Sequence, residues 1–265
     1  GLVYCSITGF GQTGPWSQYR GMGSMFEAPF GHTSITGYPD MDAEGAPSSV
    51  ASDASTGVTI AQAAIMAIHQ REKTGKGVYI DISMGENFVP QLGEIYMDYT
   101  INGRVAEPLG NRDHMSHLVQ GAYPCAGDDE WIAISIGSIE QWQALCRLMG
   151  KSELVADERF GDMEGLRAHH NQVDQIVGAW TVDQGPVSLF HRLQKEGIVA
   201  GPVLNEPLAY ADPHLKERGF FVPINHPEIG THQYPSTAFK MSGVPFEVVA
   251  PDQPIQISRA PAISR

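Results

Sequence analysis

The spacing of apolar residues divides the first part of the chain into alternating strands and helices. Apolar, β-branched runs at residues 2–7 and 78–83 predict two strands. Apolar segments at about 54–71 and 85–101 predict two helices, and a turn rich in Gly and Lys at residues 73–77 closes the first. Strands that alternate with helices are typical of a parallel sheet, so the pattern predicts an α/β fold.

One carboxylate, Asp53, lies between a loop rich in Gly, Pro and Asp and the predicted helix at 54–71. Aspartate is a preferred N-cap residue because its carboxylate accepts backbone N–H groups, and local sequence favours this structural role. The alternative is chemical, since loops of parallel sheets bind ligands and a carboxylate can attack an activated carbonyl. The helix itself is apolar on all sides, which predicts that it is buried and tightly packed.

A second region with a different pattern begins after a polar, His-rich stretch at residues 104–121. Apolar runs on either side of the acidic turn at 127–130 predict a hairpin. Helices are predicted at about 139–149, 167–179 and 186–196, and β-like sequence returns at 220–224.

These changes of pattern predict the domain organisation. We expect residues 1–104 to belong to a large α/β domain that carries Asp53, and residues 105–122 to be a linker. Residues 123–205 are expected to form a small α+β domain, and residues 206–265 to return to the large one. The chain opens directly on a strand and stops abruptly, so we also expect it to be part of a larger protein.

Composition excludes several classes of protein. The 265 residues are 42% hydrophobic and carry a net charge of −13, from 17 basic and 30 acidic residues. An acidic surface argues against nucleic acid or an anionic membrane as partner. Three widely spaced cysteines indicate a reducing cytoplasm and no disulfide framework. No apolar run is long enough for a membrane helix, and no signal peptide is visible.

Other chemistry-bearing side chains give weaker signals. His114 and His117 form an HxxH pair without a third ligand at a suitable spacing, so we predict no metal site. His169 and His170 are expected to be solvated on a polar helix face. No Gly-x-Ser-x-Gly elbow is present, which argues against a serine hydrolase. Arg20 follows a Gly-rich loop, where a phosphate contact and a solvated surface arginine are equally compatible with the sequence.

A series of short motifs runs through the chain in a characteristic order. They lie at residues 2–15, 34–37, 52–57, 71–77, 80–83, 110–111, 123–125, 131–134, 201–203 and 212–213. With these motifs the chain resembles family III CoA-transferases, which include formyl-CoA transferase, carnitine CoA-transferases and the related α-methylacyl-CoA racemases. The resemblance implies a Rossmann-like large domain, a smaller α+β domain and interlocked, ring-like dimers.

The resemblance also implies a mechanism and a set of site residues. Asp53 matches the nucleophile, which forms a mixed anhydride with the donor acyl group and then an aspartyl-CoA thioester. Tyr19, Arg20, Gly21 and Met22 match a CoA-contacting stretch. The implied partners are an acyl-CoA and a carboxylic acid, with CoA as substrate, no permanently bound cofactor and no metal.

Two departures from the family pattern affect these expectations. The loop that carries a glycine run in formyl-CoA transferases corresponds here to residues 110–114, including Gly110 and Asn111, so formate or oxalate is not expected as substrate. The family's N-terminal part is not in this sequence. We therefore expect a homodimer or a heteromer with a related subunit, in which another polypeptide can supply the remainder.

Two alternatives stay open beside CoA transfer. The first is an acyl-CoA racemase, in which a histidine works with the aspartate in proton transfer. Met22 occupies the position of that histidine, and a methionine cannot move a proton, so racemisation is disfavoured. The second is a non-catalytic subunit or fragment in which Asp53 only caps a helix.

Overall fold

The computed structural model describes residues 1–42, 50–113 and 118–243. The chain divides into two compact units, Gly1–Gly201 and Pro202–Arg265. His114 and His117 lie outside the described residues, and so does most of the loop before Asp53. The domain boundaries expected from the sequence stay a prediction.

A strand, a long helix and a second strand open the first unit. Strand β1 (Val3–Thr8) pairs in parallel with β2 (Val78–Ser83), so that Val3 lies opposite Val78 and Thr8 opposite Ser83. Helix α1 (Ala51–Thr74) connects them. The predicted parallel pairing is confirmed. The helix starts three residues earlier and ends three residues later than predicted, and Gly75 in the left-handed conformation ends it (φ 71°).

The predicted burial of α1 is wrong for the part of the chain that the structure describes. There, Val58 is 71% exposed and Ile65 68% exposed, whereas Ser52, Thr56 and Ala67 are buried. The physical reason is that α1 packs against β1, β2 and the short helix that follows β2, which contact only part of its circumference. An all-round apolar sequence does not by itself say which neighbours cover the helix.

The segment between β1 and α1 contains short 3-10 turns at Gly23–Phe26, Ala28–Phe30 and Thr33–Ile35. Phe26 is buried between two glycines. A Cβ at Gly9 would lie 2.0 Å from the Phe26 ring, and a Cβ at Gly21 would lie 2.6 Å from it. Both positions therefore need glycine for this close approach.

The helix predicted at 85–101 is broken in two. Helix α2 (Met84–Phe88) is followed by a 3-10 turn at Val89–Leu92 and then by α3 (Gly93–Asn102). Pro90 has no backbone N–H to donate and its ring crowds the preceding turn, which explains the interruption.

The rest of the first unit is an antiparallel hairpin covered by helices. Strands β3 (Val119–Pro124) and β4 (Trp131–Ile136) are antiparallel, as predicted, and β5 (Val199–Val203) pairs with β4. The helices are α4 (Ile139–Met149), α5 (Met163–Ala168), α6 (His170–Thr181) and α7 (Pro186–Lys195). Trp142, Phe160 and Leu193 belong to one continuous core with the inward faces of these strands.

His170 corrects the prediction that both histidines of this region are solvated. The helix predicted at 167–179 is divided into α5 and α6, and His170 is the first residue of α6. It is 8% exposed, and its Nε2 lies 3.0 Å from the carbonyl oxygen of Gln120 on β3. Burial lowers its pKa, an effect that the neighbouring Asp174 carboxylate partly opposes.

The second unit contains two short helices and a hairpin. Helices α8 (Glu206–Ala211) and α9 (Pro213–Glu217) are capped by the side chains of Asn205 and Asp212. Strands β6 (Phe221–His226) and β7 (Gly230–Pro235) are antiparallel. With parallel pairing in β1–β2 and antiparallel pairing in β3–β4 and β6–β7, the fold is mixed α/β.

Candidate active site

Asp53 lies in the first turn of α1. It is the third residue of the helix and is exposed to solvent. Val50 occupies the N-cap position, and its side chain accepts no hydrogen bond from a helix N–H. The carboxylate is thus not the N-cap that local sequence favoured. It stands at the positive end of the helix dipole, where negative charge is stabilised.

Glu27 performs the capping that Asp53 does not. Its Oε1 accepts a 2.9 Å hydrogen bond from the backbone N–H of Ser52, next to Asp53. The Glu27 side chain comes from the segment between β1 and α1, and the residue is 0% exposed. A buried carboxylate needs hydrogen-bond donors or a positive partner, and the free amides of a helix start supply donors.

His32 is the second partner of Glu27. Its Nδ1 lies 2.7 Å from Glu27 Oε2, and its ring meets the Phe88 ring edge to face, with centroids 4.9 Å apart. The imidazole is 22% exposed and lines a cavity of about 540 Å³. Gly110 and Asn111, the substrate-loop candidates, line the same cavity.

Helix α2 supports the other side of the α1 start. Asn87 Nδ2 donates to Ser55 Oγ and to Thr56 Oγ1, each at 3.3 Å. The N-terminus of α2 is in turn held by Gly9 after β1, whose carbonyl accepts from Gly85 N at 3.1 Å. The turn that carries Asp53 is therefore supported from two directions.

The predicted CoA-contacting residues form an exposed loop after β1. Tyr19, Arg20 and Met22 are exposed, and Gly21 is half-buried against Phe26. A Cβ at Gly23, directly after Met22, would lie 3.7 Å from Val50 Cγ1. This places the end of the loop beside the N-cap of α1, so the structure brings Met22 and the Asp53 turn into one neighbourhood.

The Gly110–Asn111 loop is tied to the segment that follows His32. Gly110 has a φ of 63°, and its N–H donates to Gly37 O at 2.8 Å. Asn111 Nδ2 donates to the hydroxyl of Tyr38, also at 2.8 Å. The loop therefore lies near His32. His32 contacts Glu27, and Glu27 in turn accepts a hydrogen bond from the start of α1.

Arg112 continues this loop into a polar network on α6. Its Nη2 donates to Asp174 Oδ2 and to Asn171 Oδ1, each at 2.6 Å. Asp174 Oδ1 also accepts from the hydroxyl of buried Tyr123 at 2.8 Å. Burial and the Asp174 charge both raise the pKa of Tyr123. A second cavity, of about 670 Å³, is lined by Arg112, Tyr123 and Asp174.

Sequence reasoning missed Glu27 and His32. A signal was present, because Glu27 is an isolated carboxylate in the apolar stretch at residues 25–30, which is the criterion that singled out Asp53. His32 carried no comparable signal, since a single histidine in a loop rarely marks a site.

Within the described ranges 1–42, 50–113 and 118–243, no three His, Cys, Asp or Glu side chains converge as metal ligands would. No helix in the same ranges combines the length and the apolar character that crossing a bilayer requires.

Comparison with known proteins gives a consistent result. A family model described as CoA-transferase family III matches residues 1–256. A succinyl-CoA–D-citramalate CoA-transferase from Chloroflexus aurantiacus is 28% identical over 246 residues, which are 92% of this chain and 60% of that protein. A succinate–glutarate CoA-transferase from Agrobacterium fabrum is 32% identical over 221 residues, 83% of this chain and 54% of that protein.

A solved structure agrees with these sequence matches. The crystal structure of a CaiB/BaiF family protein from Brucella suis superposes with a TM-score of 0.73 at 27% identity. The match covers 89% of this chain and 65% of the solved one. The chain thus spans less than two thirds of the length of each of these relatives.

Proposed function

The chain belongs to the family III CoA-transferases, and we propose on this basis that the protein moves CoA from an acyl-CoA donor to a carboxylic acid through Asp53. The observation that carries the proposal is the position of Asp53. It is an exposed carboxylate in the first turn of a 24-residue helix, on a start held by buried Glu27. A nucleophile needs both access to substrate and a fixed position.

The first half of the proposed reaction loads the enzyme. A carboxylate oxygen of Asp53 attacks the thioester carbonyl carbon, the C–S bond breaks, and CoA leaves as thiolate from a mixed anhydride. The thiolate then attacks the Asp53 carbonyl carbon. This releases the donor acid and leaves an aspartyl-CoA thioester.

The second half reverses these steps on the acceptor. The acceptor carboxylate attacks the aspartyl-CoA carbonyl, forms a new mixed anhydride and frees the CoA thiolate. The thiolate attacks the acyl carbon of the acceptor, which leaves as its CoA thioester and restores the Asp53 carboxylate. No water enters the sequence, so a site that excludes water protects both anhydrides from hydrolysis.

Binding roles follow from the two loops beside the α1 start. We assign contacts with CoA to Tyr19, Arg20, Gly21 and Met22, where exposed Arg20 can pair with a phosphate. We assign acceptor contacts to Gly110 and Asn111, which line the cavity next to His32. CoA enters as a substrate, and the proposal includes no permanently bound cofactor and no metal.

The substrate class is proposed from the relatives. Succinate, glutarate and citramalate, which appear in the names of the relatives, are all dicarboxylic acids. We therefore propose a dicarboxylic acid as acceptor and succinyl-CoA as the first donor to test. Met22, at the place of the racemase histidine, has no titratable proton, which supports transfer over racemisation.

The assembly is also a proposal. We propose a cytoplasmic protein that works as an interlocked homodimer or with a related subunit. The large domain would include residues 1–104 and 206–265, and the small domain residues 123–205, joined by the linker at 105–122.

The decisive experiment detects the acyl-enzyme. The whole protein is incubated with succinyl-CoA, quenched with hydroxylamine and digested, and mass spectrometry locates the hydroxamate. We expect it at Asp53 in the parent and in Asp183→Asn, an exposed control, and not in Asp53→Asn. Full turnover by Asp53→Ala would overturn the proposal, and α-deuterium exchange without any acceptor would favour a racemase instead.

A further inference from the structure

Trp16, which has no role in the function proposed above, forms an exposed aromatic pair with Tyr19 in the loop after β1. Trp16 is 43% exposed and Tyr19 is 62% exposed. Their rings are stacked, with centroids 6.2 Å apart and planes 17° from parallel. Both residues come from one turn, in which the Tyr19 N–H donates to the Trp16 carbonyl at 2.8 Å. The loop therefore presents two nearly parallel rings to solvent.

Other aromatic side chains hold this pair in place. The Phe10 ring meets Trp16 with centroids 5.5 Å apart and Tyr19 with centroids 6.4 Å apart, edge to face in both cases. Phe10 also packs edge to face on buried Phe26, and Phe30 meets the Trp16 ring in the same way. Rings that are fixed before a ligand arrives lose little conformational entropy when it binds.

An open and prearranged aromatic surface suits a planar ring as ligand. Every nucleotide base has a π-face that can stack on the side chain of a tryptophan or tyrosine. A contiguous exposed apolar surface indicates a binding site more strongly than a single exposed apolar side chain does. The geometry of Trp16 and Tyr19 therefore favours a base over a flexible aliphatic group.

The charge next to the pair suits a phosphate. Arg20 directly follows Tyr19, is exposed, and is the only charged residue of the sequence between positions 9 and 26. Asp81 on β2 contacts the same loop, but it does so before the aromatic pair, where its Oδ2 accepts from the Gln12 N–H at 2.9 Å. An arginine beside an aromatic surface provides both contacts that a nucleotide needs, for its base and for its phosphate.

The order of these side chains along the loop matches the order of the groups along CoA. The aromatic pair comes first and Arg20 follows. The loop then reaches Gly23, where an added Cβ would lie 3.7 Å from Val50 Cγ1, at the N-cap of α1. CoA carries its adenine at one end, its phosphates next, and its reactive sulfur at the other end. A CoA molecule laid along the loop therefore brings its thioester toward the helix start that carries Asp53.

We propose that Trp16 and Tyr19 are the stacking surface for the adenine of CoA, beside a phosphate bound by Arg20, an inference that rests on the proposed CoA transfer. The stack helps to capture CoA and takes no part in breaking the thioester bond. Trp16 is thus a binding residue for donors that carry the nucleotide, and it is dispensable for a donor that lacks it.

The first test uses the unmodified whole protein and adenosine 3′,5′-bisphosphate, the nucleotide part of CoA without its thioester arm. Hydroxyl-radical footprinting with mass spectrometry follows oxidation at Trp16 and at Trp131, which is 36% exposed and serves as internal control. At about ten times the Kd from isothermal titration, the nucleotide should slow oxidation of Trp16 several-fold, up to the roughly tenfold limit set by occupancy. Absence of binding, or unchanged oxidation of Trp16 at saturation, would overturn the proposal.

The second test separates the nucleotide end of the donor from its reactive end. Asp53 is trapped with hydroxylamine at subsaturating succinyl-CoA or succinyl-pantetheine, which has the thioester but no nucleotide. Trp16→Ala should lower the trapping rate with succinyl-CoA about tenfold, the effect of one lost base stack, and leave the rate with succinyl-pantetheine unchanged. Trp16→Phe keeps a ring and should recover most of the loss. Trp131→Ala controls for the loss of an exposed indole.

The contradicting outcomes of this second test are equally distinct. Equal effects of Trp16→Ala on both donors would show that Trp16 serves the fold or the reactive end of the site. No effect on either donor would show that the ring contributes nothing to binding. If a second copy of the chain covers the pair instead, Trp16→Ala should weaken self-association in analytical ultracentrifugation while the Kd for the nucleotide stays parental, and the adenine site would be ruled out.

Arg20 is tested through salt dependence. Arg20→Gln should raise the Kd for adenosine 3′,5′-bisphosphate several-fold at low ionic strength and reduce the change of Kd with added salt, because one screened charge pair is gone. Trp16→Ala should raise the Kd by a similar factor at every salt concentration, since stacking carries no net charge. A parental salt dependence in Arg20→Gln would contradict the phosphate contact.

These experiments keep the two proposals apart. The footprint with adenosine 3′,5′-bisphosphate needs neither a thioester nor Asp53, and trapping with succinyl-pantetheine needs no nucleotide. Failure of the footprint would remove the adenine site and leave transfer through Asp53 in place. Failure of trapping with both donors would remove the transfer mechanism and leave the nucleotide site in place.

Discussion

The side chain of Glu27 accepts a hydrogen bond from the backbone amide of Ser52, 25 residues further along the chain. This contact caps α1 from outside the helix and leaves the neighbouring carboxylate, Asp53, exposed. Because the distant side chain of Glu27 caps α1, the carboxylate of Asp53 in the first turn is not needed as a cap and can react with a substrate. The relationship has consequences for stability as well as for reactivity.

Removal of the Glu27 carboxylate should destabilise the protein. Glu27→Ala leaves the Ser52 amide and His32 without their buried partner, and we expect a loss of about 3 kcal/mol in the free energy of unfolding. Urea denaturation followed by circular dichroism measures it. Glu72→Ala, on the exposed end of α1, is the control and should leave the midpoint unchanged. Equal losses in both variants would contradict the capping role.

Two residues of helix α7, one buried and one exposed, test the hydrophobic core that lies against strands β3 and β4. Leu189 is 0% exposed and belongs to the core, whereas Val187, two residues earlier, is 44% exposed. Leu189→Ala should cost about 3 kcal/mol of unfolding free energy because it leaves a cavity. Val187→Ala should cost well under about 1 kcal/mol. Denaturant titration of both variants tests whether α7 faces the sheet as described.

Alkaline pH should weaken the fold through Cys146. Burial, with a smaller contribution from Glu153, raises the pKa of this thiol from 9.0 to about 12. The unfolded chain therefore loses this proton first, so the stabilisation is complete below pH 9 and is lost as pH rises toward 12. The raised pKa of Tyr123 acts in the same direction.

The measurement is the slope of unfolding free energy against pH between 9 and 11. We expect a smaller slope in Cys146→Ala than in the parent. Ala144→Gly, another buried change on α4, should lower stability without changing the slope. Identical slopes in Cys146→Ala and the parent would show that this thiol does not contribute.

Tyr123 and Asp174 should be energetically coupled. The Tyr123 hydroxyl donates to Asp174 Oδ1 at 2.8 Å, and the tyrosine is buried. A double-mutant cycle with Tyr123→Phe and Asp174→Asn should give a coupling energy of about 1 kcal/mol. Tyr210→Phe, which removes an exposed hydroxyl in the second unit, serves as control for the loss of a phenol. Strict additivity of the two substitutions would contradict the bond.

Several features of the fold could be predicted from sequence because they depend on local pattern. The parallel pair β1–β2, the β3–β4 hairpin and α4 follow from apolar periodicity and turn residues. The break at Pro90 depends equally on local sequence, because a proline has no backbone N–H to donate inside a helix. Asp53 was identifiable as an isolated charge before an apolar helix, and the family resemblance assigned it a role.

Other features depend on which surfaces meet in space. Periodicity shows that α1 is apolar, but not that Val58 and Ile65 are exposed while Ala67 is covered. It places His170 on a helix, but not against the carbonyl of Gln120. Burial is a property of neighbours far away in sequence, so no local window contains it.

The sequence alone determined the alternation of elements, the family and the identity of the candidate nucleophile. Only the tertiary structure decided that Glu27, and not Asp53, caps α1, and that His32 connects this cap to the cavity of the Gly110–Asn111 loop. The physical reason is that capping needs only an oxygen near a free N–H. Any segment that folds back to the helix start can supply it, and the chain path decides which one does.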